Sequence, residues 1–410
     1  MKVAIPKERH ADETRVAATP DTVKRLIGLG LDVVLEAHAG DGAAIPDAAF
    51  RQAGAEIAGD GATALKDADI VLKVRRPMTP KLDGPSADLP SPAEAGFAKA
   101  GGFGPQAGGA LDELAMMRKG AALIGLLAPQ GAPRACRAYA EAGITAFAME
   151  LMPRISRAQS MDALSSQSNL AGYMAVIEAA AAFQRAFPMM MTPAGTVPPA
   201  RVMVLGVGVA GLQAIATARR LGAVVSATDV RPATKEEVKS LGAKFVAVED
   251  EEFLQAESQE GYAKEMSDAY KEKQAALIHE TLKTQDIAIC TALIPGRPSP
   301  VLITEAMVKD MKPGSVIVDL AVDEGGNCAL SEAGEVVHKA EVTIIGPLNL
   351  PGRVAASASA LYARNLFNFL EILVDKDKGA LDIDLEDEIV KGTLIAHDGK
   401  VVHPELAGEG

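Results

Sequence analysis

The chain has 410 residues, enough for two or three domains, and a formal net charge of −13. That charge, an aromatic content of 4% and the absence of Trp argue against nucleic-acid binding. Three widely spaced cysteines predict no disulfide framework, no histidine spacing predicts a metal site, and no window of about 20 apolar residues predicts a membrane span. We therefore expect a cytoplasmic protein without a bound metal.

The first 150 residues alternate between strand-like and helical segments. Strands are predicted at 1–6, 68–77, 121–128 and 144–150, and a helix with one apolar face at 20–30. The alternation indicates an α/β domain. Residues 78–110 are rich in Pro, Gly and Ala and predict a flexible surface excursion.

A polar stretch, LMPRISRAQSMDALSSQSN (151–169), follows the strand at 144–150. It concentrates Arg, Gln, Asp and Ser, which can hydrogen-bond a ligand but can equally satisfy the backbone of an interdomain hinge. A long helix is predicted next, at 170–187, and a proline-rich connector leads from it to Pro199.

Residues 201–229 carry the clearest chemical signal. RVMVLG reads as a strand, GVGVAG (206–211) matches G-x-G-x-x-G, a helix runs to Gly222, and VVSATD is a strand that ends on Asp229. Gly206 allows a tight turn, Gly208 lets the backbone approach a pyrophosphate, and Gly211 lets helix and strand pack closely. Asp229 suits an adenosine ribose and would repel a 2′-phosphate, so NAD is favoured over NADP, although the nearby Arg231 weakens that preference.

The alternation continues beyond Asp229. Strands are predicted at 286–293, 315–322 and 342–348, and the long acidic segment 249–267 reads as a lid. A second long helix is predicted from 351, and HDGK near the end predicts a hairpin. The sequence thus predicts two Rossmann-like doubly wound α/β domains, 1–165 plus 352–410 and 166–351, with a cleft between them and two long connecting helices.

Several of these stretches resemble one family. RISRAQSMDALSSQS, GVGVAGLQAIATARRLGA, TALIPGRPSPVLIT and MKPGSVIVDLA are similar to the NAD(H)-binding alpha subunit (domain I) of proton-translocating NAD(P) transhydrogenase, which is related to alanine dehydrogenase. The resemblance covers nearly the whole chain except roughly 80–110. It implies a homodimer with NAD(H) in the cleft, and hydride transfer to NADP(H) held by a partner.

The resemblance also assigns residues. It implies catalytic and nicotinamide-binding roles for Arg154, Gln159, Asp162 and Ser165. It implies further cofactor contacts from Gly206, Val207, Gly208, Val209, Gly211, Asp229, Val230, Arg231, Gly261, Tyr262, Ala292 and Leu293. It implies a Re/Si-specific enzyme that is active only with an NADP(H)-binding beta subunit and a membrane-spanning subunit, through which the chain would attach to the inner face of the membrane.

Two alternatives remain open. The first is an alanine-type amino-acid dehydrogenase, for which Arg15, Lys73 and Asp323 stand where substrate groups would be expected. Amine oxidation needs a general base, usually His, and 121–131 contains none. The second alternative is a regulatory module that binds NAD without turnover.

Overall fold

The computed structural model describes residues 1–80, 112–254, 266–294 and 296–406. These residues form two compact units. The first unit contains 1–80, 112–167 and 351–406, and the second contains 168–254, 266–294 and 296–350. Both are α/β layers built on mainly parallel sheets, so the predicted fold class is confirmed.

The strands, numbered in chain order, are β1 (Lys2–Ile5), β2 (Asp32–Glu36), β3 (Glu56–Ala58), β4 (Ile70–Arg75), β5 (Ala122–Leu126), β6 (Thr145–Ala148), β7 (Met190–Thr192), β8 (Gly195–Val197), β9 (Arg201–Leu205), β10 (Val224–Thr228), β11 (Lys244–Phe245), β12 (Ile287–Cys290), β13 (Val316–Asp319), β14 (Val336–Lys339), β15 (Val342–Ile345), β16 (Val374–Asp375), β17 (Ala380–Leu381), β18 (Leu394–His397) and β19 (Lys400–Val401).

The helices are α1 (Pro20–Gly28), α2 (Asp47–Gln52), α3 (Gly61–Leu65), α4 (Glu113–Met116), α5 (Pro133–Glu141), α6 (Ala163–Ala182), α7 (Val209–Arg220), α8 (Thr234–Ser240), α9 (Glu251–Leu254), α10 (Asp268–Leu282), α11 (Glu305–Lys309), α12 (Ala355–Leu373) and α13 (Glu388–Thr393). None of these described helices is long and apolar enough to cross a membrane.

The first unit contains an eight-stranded sheet in the order β19-β18-β6-β5-β4-β1-β2-β3. Six strands run parallel, and the hairpin β18–β19 pairs antiparallel with β6. The central strands β4 and β5 are buried on both faces, which explains their nearly continuous apolar sequences. The predicted hairpin turn is present, with Asp398 and Gly399 at φ of 48° and 77°.

The second unit contains a seven-stranded sheet in the order β11-β10-β9-β12-β13-β15-β14. The chain starts at β9, winds outward to β11, and then resumes on the other side of β9 at β12. This reversal is the topological switch point at which doubly wound sheets bind ligands. In the register, Leu205 is level with Thr228 on one side and with Cys290 on the other, so three strands end side by side.

The structure differs from the expected elements in three places. Helix α6 begins at Ala163 rather than 170, because Asp162 accepts the Ser165 backbone N–H at 2.8 Å and caps the first turn. The proline-rich connector contains the hairpin β7–β8. The antiparallel edge strand β14 pairs with β15 through a short turn that the strand prediction at 342–348 missed.

Candidate functional site

The glycine-rich turn lies at the switch point of the second unit, directly after β9. Gly206 has φ of 94°, and a Cβ built on it would lie 2.8 Å from the Ala292 backbone nitrogen. A Cβ on Gly211 would lie 2.0 Å from the Gly206 carbonyl oxygen. Both positions therefore require glycine, the first for its conformation and the second for the close approach of α7 to the turn.

The N-terminus of α7 is open. Gly208 is its N-cap residue, no described side chain caps the helix there, and a Cβ on Gly208 would meet no described atom within 4 Å. The N–H groups of a helix's first turn and the helix dipole favour an anion at such an end. Val209, next in the chain, is 39% exposed. The residues present therefore fit a pyrophosphate.

Asp229 ends β10 beside this turn and is already fully engaged. One carboxylate oxygen accepts the Val207 N–H at 2.8 Å and an Arg231 guanidinium N–H at 3.0 Å. The other accepts the Arg231 backbone N–H at 2.9 Å and its Nε–H at 3.0 Å. A carboxylate has about four lone-pair sites, so ribose hydroxyls could bind Asp229 only by displacing some of these donors. The Arg231 guanidinium also donates to the Val207 carbonyl at 3.1 Å.

Ala292 and Leu293 follow β12 on the other side of the turn. The buried Asn327 holds this segment, since its side chain accepts the Ala292 N–H at 3.0 Å and donates to the Ala292 carbonyl at 2.9 Å. The Thr291 hydroxyl donates to the Gly206 carbonyl at 2.9 Å and ties the two strand ends together. Sequence analysis missed Asn327 and Thr291, although the position of each close to a strand end was a usable signal.

The second unit thus brings most of the predicted cofactor residues to one sheet edge. They are Gly206, Val207, Gly208, Val209, Gly211, Asp229, Val230, Arg231, Ala292 and Leu293. Gly261 and Tyr262, and most of the predicted lid at 249–267, lie outside the described residues.

The other predicted residues, Arg154, Gln159, Asp162 and Ser165, lie in the first unit. Arg154 and Gln159 are exposed, and Gln159 belongs to a 3-10 helix, Ser156–Met161. Asp162 and Ser165 are partly buried and bonded to each other, because the Ser165 N–H and hydroxyl both donate to the Asp162 carboxylate. This pair has a structural task as the cap of α6, whereas Arg154 and Gln159 face solvent.

The cations considered for an amino-acid substrate are paired. Arg15 is buried and donates to both Glu13 oxygens at 2.7 Å and to the Gln167 side-chain oxygen at 2.8 Å. Lys73 is fully buried between Glu113 at 2.9 Å and Glu8 at 3.4 Å. A substrate carboxylate would have to compete with these carboxylates. Asp323 lies in the second unit, in the 3-10 helix Val322–Glu324.

Comparison with known proteins finds two matching domain families. Residues 4–88 and 107–171 match the "Alanine dehydrogenase/PNT, N-terminal domain", and residues 175–404 match the "Alanine dehydrogenase/PNT, C-terminal domain".

Two relatives illustrate the range of similarity. The chain is 57% identical to an NAD(P) transhydrogenase subunit alpha chain of Rhodospirillum rubrum over 410 residues, covering 100% of both chains. It is 29% identical to alanine dehydrogenase of Halomonas elongata, covering 99% of this chain and 96% of that one.

Two solved structures share the fold. Transhydrogenase from Sinorhizobium meliloti superposes with a TM-score of 0.82 at 52% identity, covering 98% of this chain and 100% of the other. An L-alanine dehydrogenase superposes with a TM-score of 0.75 at 25% identity, covering 99% and 98%. The chain therefore belongs to the alanine dehydrogenase/PNT family, together with the NAD(P) transhydrogenase alpha subunits.

Proposed function

We propose that the chain is the NAD(H)-binding alpha subunit of a proton-translocating, Re/Si-specific NAD(P) transhydrogenase. The observation that carries this proposal is the similarity to transhydrogenase alpha subunits along the whole chain, 57% for the R. rubrum protein. The open N-terminus of α7 at the switch point supports it, because that geometry suits a dinucleotide pyrophosphate.

The proposed roles follow from what each group can do. When bound, NAD(H) supplies the nicotinamide that gives or accepts the hydride. The first turn of α7 holds the pyrophosphate, and Asp229 selects an unphosphorylated ribose. Gln159 and Arg154 are exposed hydrogen-bonding groups that orient the nicotinamide end. Direct hydride transfer needs no general acid or base, so alignment supplies the catalysis, up to ~7–11 kcal/mol in favourable cases.

We further propose that the chain acts with partners. The hydride acceptor is NADP⁺ held by a beta subunit, and a membrane-spanning subunit couples the transfer to proton movement and keeps the chain at the inner face of the membrane. We also propose a homodimer. The hairpin β7–β8 supports this, because Met189, Met190 and Met191 are 60%, 44% and 76% exposed and offer apolar surface to a second copy.

Reconstitution tests this function. The chain is mixed with an NADP(H)-binding transhydrogenase component, and reduction of an acetylpyridine analogue of NAD⁺ by NADPH is followed spectroscopically. We expect turnover only when both components are present, and each component alone is the control. No turnover in a mixture whose two components each bind their nucleotide would refute the proposal and favour a regulatory module that binds NAD.

The amino-acid dehydrogenase alternative is supported by the similarity to alanine dehydrogenases. The lack of a histidine in 121–131 and the paired state of Arg15 and Lys73 weigh against it. We expect no NADH from the chain with alanine and NAD⁺. Clear formation of NADH would favour this alternative instead.

A further inference from the structure

The 3-10 helix Ser156–Met161 presents three different faces. Side chains three residues apart are eclipsed in such a helix, so each face repeats every third residue. Ala158 and Met161 share one face, are 1% and 5% exposed, and pack into the core of the first unit. Ser156 and Gln159 share another face and are exposed. The remaining face, at 157 and 160, is tied to distant parts of the chain.

The first tie is an ion pair. The two terminal guanidinium nitrogens of Arg157 donate to the two carboxylate oxygens of Asp387, both at 2.7 Å, across 230 residues of sequence. Asp387 is the N-cap residue of α13. The hydrogen bonds from Arg157 lower the pKa of Asp387 below its ordinary value, so the carboxylate stays charged at neutral pH. A bidentate pair fixes direction as well as distance.

The second tie holds the backbone. The side-chain amides of Asn365 and Asn368, both on α12, donate to the Ser160 carbonyl at 2.9 Å each. Asn365 in turn accepts the Ser166 hydroxyl at 2.8 Å, which connects α12 to the first turns of α6. The backbone on either side of Gln159 is therefore held from outside the loop, by residues more than 200 positions away.

We propose that Arg157, Asp387, Asn365 and Asn368 are positioning residues for Gln159 in hydride transfer. This inference rests on the proposed function. The apolar face and the two ties leave Ser156 and Gln159 as the open face of a short helix that is braced on its other sides. Without the ties, only the buried face would hold the helix, and Gln159 would sample several orientations. A displacement of about 1 Å can cost on the order of a hundredfold in rate.

The test compares Arg157→Gln with Arg118→Gln. Arg118 pairs with Asp69 in the same unit at nearly the same side-chain exposure, 47% and 24% against 53% and 19% for Arg157 and Asp387. Hydride transfer at saturating NADH is measured in the reconstituted complex, NADH affinity by titration, and unfolding temperature by calorimetry. Hydrogen exchange of 154–162 is measured in the chain alone.

We expect Arg157→Gln to slow hydride transfer at least about tenfold while NADH affinity changes less than about threefold. Exchange at 154–162 should accelerate. Arg118→Gln should lower the unfolding temperature to a similar degree without either effect. Asn368→Ala should act like Arg157→Gln, and Arg157→Lys should recover some of the rate, because it keeps the charge and loses the fork.

Equal rates and equal exchange in Arg157→Gln and Arg118→Gln would overturn the positioning role. If the wild-type complex transfers no hydride, the proposed function fails. The positioning of Gln159 for hydride transfer fails with it, and the exchange measurement then reports only whether the ties hold the loop.

Discussion

Asp229 shows how one residue can discriminate between two nucleotides and still be fully bonded without either. Its carboxylate neutralises Arg231, which would otherwise suit a 2′-phosphate. The sequence suggested competing preferences for this acid and this arginine, and the structure shows that the two side chains are bonded to each other.

We therefore predict that wild type binds NADH at least about tenfold more tightly than NADPH, and that Asp229→Asn narrows or reverses the ratio because it releases Arg231. Fluorescence titration of the chain alone measures both affinities. The matched control is Asp229→Asn combined with Arg231→Gln, which should lose the gain for NADPH. Comparable affinities in wild type would contradict the assignment.

Gln159 is neutral and exposed, so its loss should change alignment more than binding. Gln159→Ala should slow hydride transfer in the reconstituted complex by about tenfold or more and leave NADH affinity largely intact. Ser156→Ala, on the same face of the 3-10 helix, is the control and should keep nearly full rate. A change in affinity alone would make Gln159 a binding residue and nothing more.

Glu150 is a buried carboxyl outside the proposed chemistry. One oxygen accepts the Ala128 N–H, and the other is inaccessible to solvent with no hydrogen-bond partner among the described residues. Burial raises the pKa of Glu150 from 4.5 to about 7. The neighbouring Cys136 and Tyr362 have pKa values raised by burial and stay neutral at that pH.

This raised pKa gives a signed stability effect. Between about pH 4.5 and 7 the unfolded chain releases the Glu150 proton while the folded chain keeps it, so the free energy of unfolding falls as pH rises. Glu150→Gln should therefore gain stability relative to wild type across this window, by at most about 3 kcal/mol above pH 7. Denaturant unfolding at pH 5 and pH 8 measures it, with the exposed Glu371→Gln as control. A difference that is the same at both pH values would be evidence against the buried charge.

At the scale of elements, the nucleotide turn depends on a close contact between two helices. A Cβ built on Gly172 of α6 would lie 2.0 Å from the carbonyl oxygen of Ala210 in the first turn of α7. Backbone therefore packs directly on backbone where α7 would receive the pyrophosphate. The sequence shows Gly172 only as a glycine inside a helix, which costs about 1 kcal/mol relative to alanine in isolation.

We predict that Gly172→Ala destabilises the protein by about 1–3 kcal/mol and weakens NADH binding, because α6 and α7 must separate. Gly28→Ala is the matched control, since Gly28 ends α1 and its Cβ would meet no described atom within 4 Å. It should be neutral or slightly stabilising. Thermal unfolding and NADH titration of both variants measure the difference, and equal behaviour would mean that the helices can adjust.

At the scale of the whole molecule, association must overcome like charge. Each chain carries a formal charge of −13, so two copies repel over the ~8 Å range that physiological salt leaves unscreened. Apolar contact is then the main source of attraction, and the exposed methionines of the β7–β8 hairpin offer it.

We predict that Met189→Ser combined with Met191→Ser shifts the protein from dimer to monomer at micromolar concentration. Light scattering coupled to size exclusion measures the molar mass. The control is Leu385→Ser, an exposed apolar residue of the first unit that should leave the dimer intact. A dimer that survives the double substitution would place the interface elsewhere, and a monomeric wild type would refute the homodimer.

The sequence by itself determined what is local. The strand, glycine turn, helix and acid at 201–229 lie within 29 consecutive residues, and chain geometry dictates their spacing. The hairpin at 394–401 is equally local, since HDGK supplies the left-handed residues that its turn requires. The cap at Asp162 was also within reach, because Asp followed three residues later by Ser is a helix-start signal.

Only the tertiary structure decided the contacts between distant segments. The carboxylate of Asp387 and the amides of Asn365 and Asn368 meet the 156–161 helix because folding brings together residues more than 200 positions apart. The close packing of Gly172 on Ala210 and the pairing of Lys73 with Glu113 arise in the same way. No periodicity along the chain encodes such contacts, since each depends on where two independently formed elements come to lie.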